Sequence, residues 1–289
     1  MTETTSEPAV LTERRGRTLL ITLNRPRVLN AVNREMALGL HAAVDELEAD
    51  PGLAVGVIHG AGRAFCAGND LNNIGRGPEF SPMTDRGFAG IAGRPPTKVT
   101  IAAVEGHAAG GGFEIALACD LIVAGETARL AVPEVKRGLV AGGGGILRLA
   151  QRLPRGFATQ MLVTGDAAPA ARLAELGLIA QVTTEGGALA AALELADRIA
   201  ANSPVAVQVT KRILEESVDW PVAEFFTRQR PIMQLATKSA DAIEGARAFV
   251  ERRTPQWPSL TAAAAAATAE PGSGPEPESD EVRAGRGQG

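Results

Sequence analysis

The chain has no tyrosine, and only two tryptophans and eight phenylalanines among 289 residues. Aromatic platforms for single-stranded bases are therefore not expected. Basic residues number 29 against 33 acidic ones, and no basic run or stripe forms, which argues against nucleic acid as a partner. The two cysteines, Cys66 and Cys119, cannot build a disulfide framework or a Cys-rich zinc site. Three histidines, His41, His59 and His107, lack the paired spacing of a zinc protease. No apolar run reaches the roughly 18 residues of a membrane span. Met1 to Ala9 is polar and acidic, the wrong charge for a secretory leader. The expectation is a cytoplasmic protein with neither nucleic acid nor membrane as partner.

What is present is a core and an unusual amount of glycine. The chain is 45% hydrophobic and 21% charged, with 33 glycines, which fits a soluble globular fold. The formal charge of -4 is concentrated at the ends: Glu3 and Glu7 at one, Glu270, Glu276, Glu278, Asp280 and Glu281 at the other. The global charge therefore does not oppose binding of a multiply phosphorylated ligand. Residues 258–289 are rich in Ala, Gly and Pro and lack an amphipathic face, so a disordered tail is expected there. A second tail is expected over residues 1–9.

Between the tails, strand-like and helix-like segments alternate. Thr18–Leu23, Ala54–His59, Val99–Val104 and Leu121–Ala124 read as short buried strands. Asn33 is placed to cap a helix whose apolar positions are Met36, Leu40, Val44 and Leu47. Another helix opens near Gly111. This is an α/β pattern. From about residue 185 the chain turns helical, with Ser203-Pro204 and Ser239 as helix starts. A further helix opens after Trp220-Pro221, with Pro231 as a possible kink. The last helix carries Ile243, Ala246, Phe249 and Val250 as its apolar face.

Glycine clusters where the strands end, a pattern that brings backbone N–H groups close to a ligand. No GxxxxGK[ST] phosphate loop exists, and Gly60-Ala61-Gly62 lacks the third glycine of a dinucleotide fingerprint. Gly106 to Asp120 (GHAAGGGFEIALACD) is more specific. Three glycines lead into a helix with Glu114 in its first turn. An N–H near Gly111 would stand at the positive end of the helix dipole. Glu114 either complements that dipole or supplies a carboxylate to a site there. Pro133-Glu134 sets a second acid on another glycine-bounded loop. Two such carboxylates facing one water can divide the roles of acid and base.

Taken in order, these segments resemble the crotonase superfamily, the enoyl-CoA hydratase/isomerase family. The matching segments are Asn24-Arg25-Pro26 with Leu29-Asn30-Ala31, Phe65-Cys66-Ala67-Gly68-Asn69-Asp70-Leu71, Gly110 to Glu114, Pro133-Glu134, and Asp241 to Arg252. The similarity runs from about Val10 to Trp257. It implies a spiral of ββα turns over 10–200. It also implies a helical oligomerisation region over 201–257, giving a homotrimer or a hexamer made of two trimers. The implied substrate is an acyl-CoA thioester, and no metal or redox cofactor is implied, coenzyme A being part of the substrate.

The resemblance assigns roles residue by residue. Backbone N–H groups of Asn69 and Gly111 would form an oxyanion hole, while Glu114 and Glu134 would be the catalytic acids. Ala67, Gly68, Asp70, Leu71 and Gly110 would line the substrate site. Arg27 would stand near the adenosine end of coenzyme A, and Arg252 would reach a neighbouring subunit's coenzyme A. Because both glutamates are present, the resemblance implies a hydratase acting on a trans-2-enoyl-CoA, or dehydrating a 3-hydroxyacyl-CoA. A Δ3-Δ2 isomerase or a biosynthetic dehydratase is the alternative within the family. A non-catalytic CoA-binding scaffold is the alternative outside it. Lys136 and Arg137 read as a solvated face, Cys66 as a packed apolar side chain, and His107 as a packed or surface histidine. Ala141 to Leu147 (AGGGGIL) replaces the family's usual proline-containing loop, and with Asn72 to Arg94 it is expected to shape the acyl pocket.

Overall fold

The computed structural model describes residues 7–73 and 75–260. Val10–Arg15 (β1) and Thr18–Leu23 (β2) pair antiparallel, followed by Arg34–Ala49 (α1) and Val55–Gly60 (β3). Met83–Thr84 (β4) and Gly87–Phe88 (β5) make a small hairpin. Next come Val99–Val104 (β6), His107–Ala109 (β7), Gly111–Ala118 (α2), Leu121–Gly125 (β8) and Arg129–Ala131 (β9). Gly145–Arg152 (α3), Arg155–Thr164 (α4), Ala168–Pro169 (β10), Ala170–Glu175 (α5) and Gln181–Thr183 (β11) complete the α/β part. Four helices follow: Ala188–Ala200 (α6), Pro204–Glu216 (α7), Phe225–Thr237 (α8) and Ala240–Glu251 (α9). None of the described helices is long and apolar enough to cross a membrane.

The large sheet has the order β1-β2-β3-β6-β8-β11, parallel except for β1. A second sheet runs β10-β9-β7. β6 and β8 hand on to short strands of the second sheet, β7 and β9, and then to the helices α2 and α3. Cys66 bridges Ala108, and Ala108 pairs with Leu130, so three successive turns of the chain stack side by side. This is the expected spiral.

Both faces of the large sheet are covered, as a parallel sheet requires. Leu20, Val55, Val57, Ile101 and Val123 pack against the alanine face of α6. The alternate residues Leu19, Ile21, Ile58 and Ile122 face the main core with Met36, Leu40, Val44 and Leu47 of α1. Asn33 starts α1 as expected, its Oδ1 accepting from the Met36 N–H at 2.9 Å. β1 escapes a reading based on hydrophobic period because its side chains after Val10 are exposed.

Some expectations need correction. The chain is described three residues into each expected tail. Ala9 is buried, and its carbonyl accepts from the Asn24 N–H at 2.7 Å. Ser259 donates its N–H and hydroxyl to Asp241 at 2.9 and 2.7 Å. The remainder of both expected tails, 1–6 and 261–289, lies outside the described residues. The apolar face of α9 is not packed within the chain: Ile243, Ala246, Phe249 and Val250 are all exposed. The residues α9 buries are Asp241 and Ala248, because this helix docks on α8 and on the Ser203 cap rather than on the core. Pro231 lies inside α8.

Candidate active site

A cavity of about 460 Å³ opens where α2 begins, between the loop that follows Cys66 and the segment 133–143. Asn30 builds its first wall. This buried side chain accepts from the Arg25 N–H at 2.8 Å. Its amide donates to the carbonyls of Ala61, Ala64 and Phe65 at 2.9, 2.8 and 3.1 Å. The Ala67 N–H then bonds to Leu29 and the Asp70 N–H to Val32, both at 2.9 Å. These bonds turn the Asn69 N–H away from the ladder and towards the cavity.

Glycine brings the second N–H alongside. Gly68 has φ +93°, and a Cβ there would stand 2.6 Å from the Ala109 carbonyl and 3.0 Å from Gly111 N. A Cβ at Gly112 would sit inside contact distance of the Cys66 carbonyl. The start of α2 thus presses directly on the Cys66–Asn69 loop. Gly111 is the first residue of α2, where N–H groups have no partner in the helix. Among the described residues neither the Asn69 nor the Gly111 N–H finds an acceptor. Phe88 covers Gly111 so closely that a Cβ there would enter its ring.

Both expected acids open onto this cavity. Glu114 is buried, and its Oε1 accepts from the Gly143 and Gly145 N–H groups at 2.7 and 2.9 Å. A Cβ at Gly143 would lie 2.8 Å from Glu114 Oε2. The glycine run 142–145 therefore has a use that a bulkier loop lacks: it wraps the carboxylate with backbone donors. Arg148 holds the run in place, donating to the Gly143 carbonyl at 3.0 Å and the Ala92 carbonyl at 2.6 Å. Glu134 begins the 3-10 turn Glu134–Arg137, and its Oε2 is buried without a hydrogen-bond partner. Gly110, at φ +55°, leaves room for it; a Cβ there would come within 3.1 Å of Oε1.

Burial raises the pKa of both acids, and it is the largest cause for each. Their second influences differ. The Gly145 and Gly143 N–H groups and the Arg148 charge draw Glu114 back towards its ionised form. Glu134 receives help from its own backbone N–H and from Arg137, while the Glu114 charge pushes it up.

Ala67, Gly68, Leu71 and Gly110 line the cavity as expected, and Met83, Phe88, Leu139 and Val140 add apolar surface. Asp70 does not line it. Its carboxylate instead pairs with Arg25 at 3.3 Å and accepts from the Asn72 N–H at 3.3 Å, a loop-holding role. Arg27 is exposed on the turn Pro26–Val28, and Arg252 caps α9; neither reaches the cavity of its own chain. Lys136 and Arg137 are both exposed, as expected; Lys136 bonds to Asp166, and Arg137 borders the cavity. Cys66 is buried, donates to the Asn30 carbonyl at 3.0 Å, and has its thiol pushed up to about 12 by burial. It is no nucleophile. His107 is exposed.

Asn30, Arg137 and Arg148 are not among the expected site residues, and Gly143 and Gly145 lie in the run expected to shape the acyl pocket. Asn30 lies within a recognised motif. The link from Gly143 to Glu114 spans 29 residues and has no local signal.

Comparison with known proteins agrees with this geometry. Residues 13–260 match the enoyl-CoA hydratase/isomerase family. The enoyl-CoA hydratase EchA19 of Mycobacterium tuberculosis is 41% identical over 258 residues, covering 87% of this chain and 97% of that protein. The 2,3-dehydroadipyl-CoA hydratase of Escherichia coli is 36% identical over 252 residues, covering 86% of this chain and 98% of the relative. A crystal structure of an enoyl-CoA hydratase from Mycobacterium tuberculosis superposes with a TM-score of 0.85 at 50% identity, covering 87% of this chain and 99% of that one. The chain belongs to the enoyl-CoA hydratase/isomerase family, within the crotonase superfamily. It is an enzyme of the hydratase type.

Proposed function

We propose that this enzyme adds water across the double bond of a trans-2-enoyl-CoA, and that it runs the reverse dehydration of a 3-hydroxyacyl-CoA through the same groups. The thioester oxygen would sit between the N–H groups of Asn69 and Gly111. Those donors and the start of α2 favour the enolate-like oxygen of the transition state over the ground-state carbonyl. Glu114, ionised and fixed by two backbone donors, takes a proton from water as its oxygen bonds to C3. Glu134, protonated, delivers its proton to C2. Both acids open onto one cavity, so the two groups add to the same face. One proton enters Glu114 and one leaves Glu134, and exchange with solvent restores the pair. No electron is transferred, so the proposal includes no redox cofactor or metal; coenzyme A belongs to the substrate.

The observation that carries this reading is the asymmetry of the two acids. Glu114 Oε1 holds two N–H donors, whereas Glu134 Oε2 holds none. An isomerase moves one proton between two carbons and has no need of a second carboxylate fixed to orient water. The test is turnover of crotonyl-CoA and longer enoyl-CoAs, followed by loss of the conjugated thioester absorbance. Hydration by the wild type with loss in both Glu→Gln variants supports the reading. Isomerisation of a 3-enoyl-CoA that survives Glu114→Gln favours the alternative. We further read the exposed Phe226, Ile243, Phe249 and Val250 on α8 and α9 as surface covered by other copies in a trimer or hexamer. Mass measurement in solution tests that.

A further inference from the structure

The hairpin beside the cavity is tied down from outside it. Met83 on β4 and Phe88 on β5 line the cavity wall. Between them Arg86 is buried, and its guanidinium reaches α1. There Asp45 Oδ1 accepts from Nε at 2.8 Å and stands 2.7 Å from Nη2. Nη1 donates to the Arg94 carbonyl at 3.2 Å. The Arg86 carbonyl in turn accepts from the Gly93 and Arg94 N–H groups at 2.8 and 3.1 Å. The loop 86–94 is thus closed on itself and pinned to α1 by one side chain. Gly90 presses the loop onto the same helix: a Cβ there would stand 2.5 Å from the Ala37 carbonyl and 2.6 Å from the His41 nitrogen.

Ala89 shows what this clamp enforces. It is buried at φ +55°, a left-handed backbone that an alanine keeps only where its surroundings over-determine it. Its neighbour Phe88 is buried with its ring against Gly111, where no side chain could fit. Further along the loop, the Ala92 carbonyl accepts from Arg148 at 2.6 Å, and Arg148 holds Gly143. One loop therefore bears on the Gly111 donor through Phe88 and on the Glu114 cradle through Ala92.

We propose that Asp45 and Arg86 are positioning residues for the oxyanion hole: their ion pair holds the Phe88 ring against Gly111, which fixes the Gly111 N–H and keeps water from it. This rests on the reading of that N–H as a donor to the thioester carbonyl. A donor acts most strongly on a developing negative charge where water is excluded and nothing has to reorganise. Gly111 is buried under the ring whereas Asn69 is half-buried, so the shielded donor is the one that Phe88 covers.

The probe is 4-(dimethylamino)cinnamoyl-CoA, an enoyl thioester whose absorbance moves to longer wavelength when its carbonyl is polarised. Phe88→Leu keeps an apolar side chain without the ring, and Asp45→Ala removes the ion pair at an exposed position. The wild type is expected to red-shift the bound probe. Each variant is expected to lose at least about half of that shift and about tenfold in kcat on crotonyl-CoA, with KM and the probe's Kd changed by less than about threefold, the pattern of lost alignment rather than lost binding. Asp45→Glu, which keeps a carboxylate, is expected to recover most of both. A wild-type shift that both variants keep overturns the proposal alone. So does a shift lost in Phe88→Leu but intact in Asp45→Ala, which detaches the ion pair from the site. Absence of a shift in the wild type overturns the proposal together with the oxyanion reading. The shift is read without turnover, so its loss in the variants supports the proposal even where hydration fails.

Discussion

The Gly143 N–H donates to Glu114 Oε1 at 2.7 Å, and the Gly143 Cα leaves no room for a side chain beside that carboxylate. The glycine run expected to shape the acyl pocket thus also cradles the carboxylate of Glu114. The carboxylate is held through Oε1, and the proposed hydration would use Oε2 for the incoming water.

Gly143→Ala tests that cradle. The added Cβ would lie 2.8 Å from Oε2 and 3.0 Å from Cδ of Glu114, so the carboxylate has to shift. Displacement by less than an ångström is enough to cost about tenfold to a hundredfold in rate. The expected result is a fall in kcat of that size, with KM and thermal stability little changed. Steady-state kinetics and a melting curve check it.

Arg148→Gln tests the electrostatics. The Arg148 charge favours ionised Glu114. The proposed reaction needs Glu114 ionised and Glu134 protonated, so the rate is expected to fall as pH drops through the Glu114 pKa and again as pH rises through the Glu134 pKa. Burial sets both limbs above the ordinary carboxylate value. Removing the Arg148 charge raises Glu114, so the acid limb of the kcat profile moves to higher pH. A variant of lower kcat with both limbs unmoved assigns Arg148 a purely structural role.

Asn30→Ala tests the wall behind the proposed oxyanion hole. The change strands the Arg25 N–H and three carbonyls in a buried position. Buried groups left without partners cost about 1–3 kcal/mol each at most, and a loss of about 2–4 kcal/mol of folding stability is expected. Chemical denaturation measures it. Because Asn30 also anchors the segment before Asn69, activity at temperatures where the variant stays folded is expected to fall as well.

Much of the site is legible in the sequence, for a physical reason. Gly68, Gly110 and Glu114 each stand inside a short motif, although the groups they meet, the Ala109 carbonyl, Glu134 and the Gly143 N–H, lie far off in the chain. The strands Thr18–Leu23 and Val99–Val104 are nearly continuous apolar runs because a parallel sheet buries both faces, and the structure returns them with the same bounds. What lies hidden depends on distance in the chain. Nothing near Gly143 says that its N–H meets Glu114. Arg137 and Lys136 are adjacent and both exposed, and it takes the structure to show that Lys136 pairs with Asp166 while Arg137 borders the cavity. Asp70 sits between two cavity residues, yet Arg25 draws its carboxylate away. The apolar side of α9 is a correct pattern with the wrong partner, since no part of the described chain covers it.

Lys211→Ala tests how the helical region is fastened. The buried Lys211 Nζ donates to Asp120 Oδ2 at 2.8 Å and to the carbonyls of Pro96 and Lys98 at 2.7 and 3.0 Å. Asp120 in turn accepts from the Thr100 N–H, so α7 is tied to the central strands. Removing one partner of such a pair costs about 3–5 kcal/mol. The expected outcome is loss of that stability; a change below about 1 kcal/mol contradicts it.

The most direct test of the central claim is hydration itself, measured for the wild type and for Glu114→Gln and Glu134→Gln side by side. The wild type is expected to convert trans-2-enoyl-CoA to 3-hydroxyacyl-CoA. Each variant is expected to bind acyl-CoA yet lose at least roughly a hundredfold in kcat. A wild type that binds acyl-CoA but hydrates no member of a broad enoyl-CoA panel, or variants that keep full activity, contradict the account.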